Sequence, residues 1–283
     1  MFLHRVPKPP LDAFIELIWV CRREPAPHRL ERVLPNGAAQ LFVNLKEDQT
    51  RTYEIDNGHL RVTVLPGTVV SGVHSRYAVI DTAEQESVAG AVFRPGGTAP
   101  FFRLPAHEMR EADVAVEDLW GRGAVAAMRE RLLEARTPDD QLDVLERVLA
   151  AMQRWPGGGP VIEFAVQELA RPAGISEIAA ASGLSQKRFI ERFKSAVGVA
   201  PKQYSRILRF QRALATAEKG RLVDWTRVAV DCGYFDQAHF IHDFRSFAGI
   251  APNMYRAGRT EFRNHVKFLQ SDGGAAVALS AHG

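Results

Sequence analysis

At 283 residues the chain has room for about two domains, and 46% hydrophobic with 24% charged residues is the balance of a folded globular protein, not a disordered one. No run of ~18 apolar residues is present, which excludes a transmembrane helix, and "MFLHRVPKPPLDAF" lacks the apolar core and small-residue cleavage site of a signal peptide, so a cytoplasmic location and no membrane partner are expected. The net charge of +3 is unevenly placed: from Pro160 onward there are 17 Lys+Arg against 11 Asp+Glu, and before it 19 against 22, so the two halves suit different partners.

Residues 36–95 alternate short β-rich runs with turn signals: "AAQLFVNL", "RTYEI", "LRVTVL", "TVVSGV", "YAVIDT" and "SVAGAVF", broken at Asn36-Gly37, Asp56-Asn57-Gly58 and Pro66-Gly67. Many short strands at close spacing predict an antiparallel sandwich or barrel. Two helices follow. "GAVAAMRERLLEA" places Val125, Met128 and Leu132 on one face, and "PDDQLDVLERVLAAMQRW" places Leu142, Leu145, Leu149 and Met152 on another at 3-4-3 spacing. That short heptad seam either packs on its own subunit or forms a homodimer interface through 122–155; self-packing is favoured because the seam is brief. Cys21 and Cys232, one in each half, read as two buried small hydrophobes.

"RWPGGGP", Arg154 to Pro160, cannot sit inside a helix or strand and is read as a linker over 156–160. Beyond it helical signals take over. "VIEFAVQELA" is an apolar-periodic helix; Ser176 is a candidate cap for the next, which stops at Gly183; Ser185 caps a helix ending at Gly198. Pro201 suits the first turn of a longer helix running to about Lys219, with Gly220 ending it. The cycle then repeats with Asp224, Gly233, Asp236, Gly249 and Pro252, and the Gly/Ala/Ser-rich tail, 261–283, is expected to be disordered.

The repeat is explicit in the residues. Gly183, Phe189, Phe193, Gly198, Pro201 and Tyr204 recur as Gly233, Phe240, Phe244, Gly249, Pro252 and Tyr255, with one extra residue in the second copy just after its first glycine. Short helix, glycine turn, longer helix is the helix-turn-helix pattern, whose second helix enters the DNA major groove. In the first copy Phe189, Phe193, Ala196 and Val197 share one side, leaving Lys187, Ile190, Glu191 and Lys194 opposite and Gln186 at the tip. In the second, Phe240, Phe244 and Phe247 form the buried stripe; Ala238, Ile241, His242 and Arg245 point away, with His239 on the flank and Gln237 at the tip. The apolar stripes agree and the outward faces differ, as two modules reading different base pairs would. The helix from Pro201 to Lys219 spans roughly 28 Å, which suits two reading helices in adjacent major grooves. Lys202, Arg206 and Arg256 are candidates for the phosphate backbone.

Residues 161–260 resemble the DNA-binding domain of the AraC/XylS family of bacterial transcriptional regulators. Gly233, Asp236, Gln237, Phe240, Phe244, Arg245, Gly249, Pro252, Tyr255 and Arg256 match the long signature of its second subdomain, while His242 stands where that family often has Arg. The resemblance implies a sequence-specific regulator that binds double-stranded DNA, engages RNA polymerase if it is an activator, and holds a small-molecule effector in residues 1–155. It implies an α+β chain of two domains: an N-terminal antiparallel β-barrel or sandwich, cupin-like, with a helix pair, and a C-terminal all-α double helix-turn-helix domain. The cupin metal signature is missing; His28, His59, His74 and His107 are scattered, so no metal or cofactor is expected. "LPNGAAQLFVNL" and "FRPGGTAPFF" carry turn glycines that border either a pocket or simple turns. The alternative of a barrel enzyme with an appended DNA-binding domain finds no nucleophile elbow, phosphate loop or metal cluster in its favour, so no catalytic residue is assigned.

Overall fold

The N-terminal half builds two antiparallel sheets from β1 (Phe2–Arg5), β2 (Ile15–Arg22), β3 (Leu30–Val33), β4 (Gln40–Asn44), β5 (Gln49–Asp56), β6 (His59–Pro66), β7 (Thr68–Ser71), β8 (Ala78–Asp81), β9 (Ser87–Phe93) and β10 (Asp113–Ala115). The structure is a computed structural model describing residues 1–56, 59–154, 157, 159–171, 173–218 and 223–268. One sheet runs β1-β2-β9-β4-β7-β10. Its centre is paired on both sides: Phe42 of β4 sits opposite Gly90 of β9 and Val69 of β7. All six runs read from the sequence form strands. β1, β2, β3 and β10 were not anticipated, because they lie outside the turn-punctuated stretch over 36–95.

Among the described residues, three α-helices close this half. α1 (Val116–Trp120) is one short turn, and α2 (Arg122–Glu134) pairs with α3 (Pro138–Met152). Thr137 starts α3 with a reciprocal cap, accepting from the Asp140 N–H at 3.1 Å while the Asp140 carboxylate accepts from the Thr137 N–H. The heptad seam is spent at home: Leu142, Leu145 and Leu149 are fully buried and α3 lies against β1, β2 and β9. This is the self-packing that the sequence favoured for the seam.

The C-terminal half is helical: α4 (Pro160–Leu169), α5 (Ile175–Ala181), α6 (Gln186–Val197), α7 (Pro201–Glu218), α8 (Trp225–Asp231), α9 (Gln237–Ala248) and α10 (Pro252–Gly258). Pro160 opens α4 itself, so the linker ends one residue earlier than expected; Pro156 and Gly158 lie outside the described residues, as do Lys219 and Gly220. Ser176 falls inside α5, whose N-cap is Gly174, with the Glu177 carboxylate accepting from the Gly174 N–H at 3.3 Å.

The expected disordered tail is corrected in its first part. After α10 the chain returns to the N-terminal half and adds β11 (His265–Lys267) antiparallel to β3, at the edge of the sheet β11-β3-β8-β5-β6. Val266 is buried there, and Phe268 lies 4.1 Å from the buried Arg32 guanidinium, which also sits over Tyr77. Three apolar or aromatic side chains in seven residues, Phe262, Val266 and Phe268, supplied enough surface to order this segment. The Gly/Ala-rich remainder, 269–283, lies outside the described residues.

Candidate nucleic-acid interface

The two helix-turn-helix units share one local logic. α5 and α8 each end in a turn at a left-handed glycine, Gly183 (φ +68°) and Gly233 (φ +77°), a conformation that costs other residues about 1 kcal/mol or more. The reading helices α6 and α9 then start on oxygen caps, Ser185 accepting from the Arg188 N–H at 3.4 Å and Asp236 from the His239 N–H at 2.7 Å. Both end on left-handed glycines, Gly198 and Gly249. Phe189 and Phe193 in the first unit, and Phe240, Phe244 and Phe247 in the second, are completely buried. The second core is aromatic throughout: Trp225 stacks on Phe240 with centroids 5.7 Å apart, and Phe210 of α7 contacts Phe244 and Phe247.

With the phenylalanine stripe inward, the expected reading residues face out. Gln186, Lys187, Glu191 and Lys194 on α6 are exposed, as are Gln237, Ala238, His239, His242 and Arg245 on α9. Ile190 and Ile241 are half-buried against the core, so each offers only an edge. Lys202 and Arg256 are exposed. Arg206 is not placed as expected. Its guanidinium donates to Asp243 at 2.7 Å and to Gln203 at 2.9 Å and lies 5.2 Å from the Phe247 ring. Asp243 is only 2% exposed, so Arg206 neutralises a buried carboxylate between α7 and α9, and a phosphate role for it is withdrawn. A sequence reader sees the pair only by noting an acid on the apolar side of α9, beside the Phe240 and Phe244 stripe.

Two features escaped the sequence reading. Phe235, in the turn before α9, is 91% exposed. And the N-terminal half grips both reading helices at matching points. A side chain at Gly198 would meet the Ala106 carbonyl at 3.2 Å, and one at Gly249 would run into the Tyr77 ring. The Tyr77 N–H donates to the Phe247 carbonyl at 2.8 Å. Gln211 of α7 donates to the Pro35 carbonyl at 2.8 Å.

Between the sheets lies a cavity of about 720 Å³, lined on one side by Gln40, Phe42 and Val69 and on the other by Arg51, Tyr53 and Thr63; Ser246 of α9 reaches its rim. Asn36 and Gln40 of "LPNGAAQLFVNL" line it, whereas "FRPGGTAPFF" contributes nothing to it. At one end Arg51 pairs with Glu84 at 2.6 Å, yet burial pushes the Glu84 carboxyl above its usual range. At the other, Ser71 Oγ is 3.1 Å from His74 Nε2, and His74 Nδ1 is 3.6 Å from Glu111. Burial alone would raise the Glu111 carboxyl; the facing His74 ring and hydrogen bonds from Ser75 outweigh it and hold it down at about 2. His28 sits outside the cavity, 2.6 Å from the buried Glu31, which also accepts from His265 of β11 at 2.8 Å. His107 lies in a 3-10 turn, and the His59 side chain is outside the described residues. Cys21 and Cys232 are both buried and free, and burial raises both thiols.

Residues 178–258 match the family described as a helix-turn-helix domain, and residues 4–115 a domain of unknown function (DUF6597). Over 93 residues the chain is 32% identical to a probable transcriptional regulator, LumQ, of Photobacterium leiognathi. The chain carries an AraC-type helix-turn-helix domain. The LumQ match covers 32% of this chain and 36% of LumQ, so the chain spans about a third of the length of that curated relative. Among solved structures, a probable AraC family transcriptional regulator from Rhodopseudomonas palustris is 27% identical over 32% of this chain and 86% of its own, with a TM-score of 0.29. A DNA-binding transcriptional dual regulator from Escherichia coli is 26% identical over 34% and 86%, TM-score 0.29. Apo ToxT from Vibrio cholerae spans more, 84% of this chain and 96% of its own, at 11% identity and a TM-score of 0.46. The AraC-type domain is DNA-binding by class, and in this chain it is packed on a sheet-rich N-terminal half. Among the described residues no helix is long and apolar enough to cross a membrane.

Proposed function

We propose that the protein is a sequence-specific DNA-binding transcriptional regulator whose two reading helices, α6 and α9, occupy adjacent major grooves on one face of a duplex. The observation that carries this reading is the duplicated scaffold with unlike outward faces. Two helices with side-chain oxygen caps, a shared pair of buried phenylalanines and the same left-handed exits present Gln186, Lys187 and Lys194 in one case and Gln237, His239 and Arg245 in the other. Duplication for stability alone has no need for two chemically different exposed faces. Lys and Gln at helix tips are groups that hydrogen-bond base edges, and Lys202 and Arg256 suit the phosphates.

The cavity supplies a place for a small effector. Its volume falls within the range of small-molecule sites, and its mix of aromatic and polar lining is what such sites use. Ser246, which lines it, belongs to α9 itself. A ligand there would bear on the second unit more directly than on the first. The test is to select duplexes from a random pool with the full-length protein and footprint the winners. Two protected half-sites one helical turn apart, about 10 bp centre to centre, are expected; protection confined to one groove, or no sequence enrichment, would overturn the reading.

A further inference from the structure

The one-residue difference between the repeats has a structural location. In the first unit the turn runs Gly183, Leu184, then the cap Ser185; in the second it runs Gly233, Tyr234, Phe235, then the cap Asp236. Leu184 and Tyr234 are equivalent: their N–H groups donate to Ala179 and Ala229 at 3.0 and 2.9 Å, and Tyr234 packs on Phe240. The inserted residue is therefore Phe235. It is 91% exposed, and among the described residues its ring has no aromatic or cationic neighbour. The scaffold neither needs it nor covers it.

Its position decides what meets it. Phe235 directly precedes the N-cap of α9, at the end of the reading helix that is inserted toward base edges in this class of motif. The flanking residues are polar: Asp236 caps the helix, and Gln237 and His239 in its first turn are exposed. A lone phenylalanine among them suits the apolar feature of the major groove, the thymine C5-methyl, which is read by apolar side chains. Resting on the DNA-binding reading above, we propose that Phe235 is a specificity-determining residue that packs on a thymine methyl at the second half-site. The first half-site has no counterpart, since its turn lacks the residue.

Because Phe235 is 91% exposed and outside the buried core of the described residues, Phe235→Ala leaves the fold intact, and an unchanged thermal midpoint checks this. The probe is the duplex selected by wild-type protein, titrated against wild type, Phe235→Ala and Phe235→Leu, with each thymine of the second half-site replaced in turn by uracil. Loss of most of the ring contact weakens binding about tenfold for Phe235→Ala, while leucine stays within about threefold of wild type. The slope of log affinity against log salt is unchanged, because the uncharged ring neutralises no phosphate and releases no counterion. One uracil position weakens wild type about threefold, the worth of a buried methyl, and leaves Phe235→Ala unaffected. Wild-type affinity for Phe235→Ala would overturn the proposal. So would a loss that no uracil position reproduces, which would place the ring on deoxyribose. If wild type selects no sequence at all, it is the regulator reading that has failed.

Discussion

The two reading helices began from one plan and are held in place differently. Counting from the paired phenylalanines, Arg192 of α6 corresponds to Asp243 of α9. Arg192 is exposed, whereas Asp243 is 2% exposed and ion-paired to Arg206 of α7. The first unit meets the N-terminal half through packing, with Gly198 against Ala106 and Val73. The second packs Gly249 on Tyr77 in the same way and adds polar links: the Tyr77 N–H on Phe247 and the returning strand β11 to the N-terminal half, and Arg206 of α7 on Asp243 within its own half. Duplicated apolar stripes fix how each helix lies on its own core. The unduplicated polar residues decide how firmly each is tied to the rest of the chain. Anchoring and reading surface are thus the parts in which the repeats diverged.

The largest effect should come from cutting the tie that only the second unit has. Arg206→Ala leaves the Asp243 carboxylate buried without its guanidinium. Removal of one partner from a buried pair costs about 3–5 kcal/mol; with Arg206 30% open to water, about 3 kcal/mol is expected by urea unfolding. A cost below about 1 kcal/mol would mean that water or His239, 3.9 Å away, takes over the charge. Arg192→Ala, the matching change in the first unit, is expected to leave stability within about 0.5 kcal/mol of wild type.

The second tie is sensitive to acid. Glu31 of β3 is fully buried and accepts from His265 of β11, from His28 and from Arg23 at 3.3 Å. Burial by itself would raise its carboxyl, but the hydrogen bonds from His265 and His28 prevail and hold it at about 2, below the ordinary 4.5. A folded pKa below the unfolded one adds stability that is complete above about pH 4.5 and is lost as pH falls toward 2. The amount is on the order of 2 kcal/mol, allowing for residual structure in the unfolded chain. Glu111 titrates in the same direction, so the check is differential. Thermal midpoints from pH 6 to pH 2 should fall more steeply for wild type than for Glu31→Gln, and hydrogen exchange should show β11 opening first. Parallel curves for the two proteins would remove Glu31 from the tie.

Why the sequence disclosed the reading units and hid these ties is a matter of range. Caps, turn glycines and a 3.6-residue apolar stripe are local signals, so Ser185, Asp236, Gly183 and Phe189 declare their roles within a dozen residues. The six strands over 36–95 were legible for the same reason, with β-rich runs set off by Asn-Gly and Pro-Gly turns. β11 pairs with a strand more than two hundred residues earlier, and nothing nearby in "FRNHVKF" specifies that partner. The Arg206–Asp243 pair spans 37 positions, and from sequence alone Arg206 looked like one more exposed cation. The heptad seam of α3 had the right period, but periodicity does not say whether the covering surface belongs to the same chain. The cavity is assembled from both sheets and Ser246, and so has no linear signature.

The smallest effect tests whether the phosphate contacts are as uneven as the anchors. Lys202, in the first turn of α7, corresponds to Asn253 in the first turn of α10; both are exposed, and only the first is charged. With Arg206 withdrawn, Lys187, Lys194, Lys202, Arg245 and Arg256 remain as candidate phosphate or groove cations. Five neutralised phosphates imply a log–log salt slope of about −4.5, at about −0.9 for each. Lys202→Asn gives the first unit the residue of the second, and should make the slope shallower by about 0.9 while weakening every duplex alike. Asn253→Lys does the reverse, and should steepen it by the same amount if the duplicated scaffold carries the second unit along the backbone as it does the first. Gln237→Ala is the control of opposite kind: it should alter base preference at one position of the second half-site, by about 1–3 kcal/mol if the contact is bidentate, with the slope unmoved. Anisotropy titrations on one selected duplex at several salt concentrations measure all three. A slope that shifts for Lys202→Asn but not for Asn253→Lys would show that the phosphates run close to the first unit only, and that the two helices enter their grooves at different angles despite their common plan.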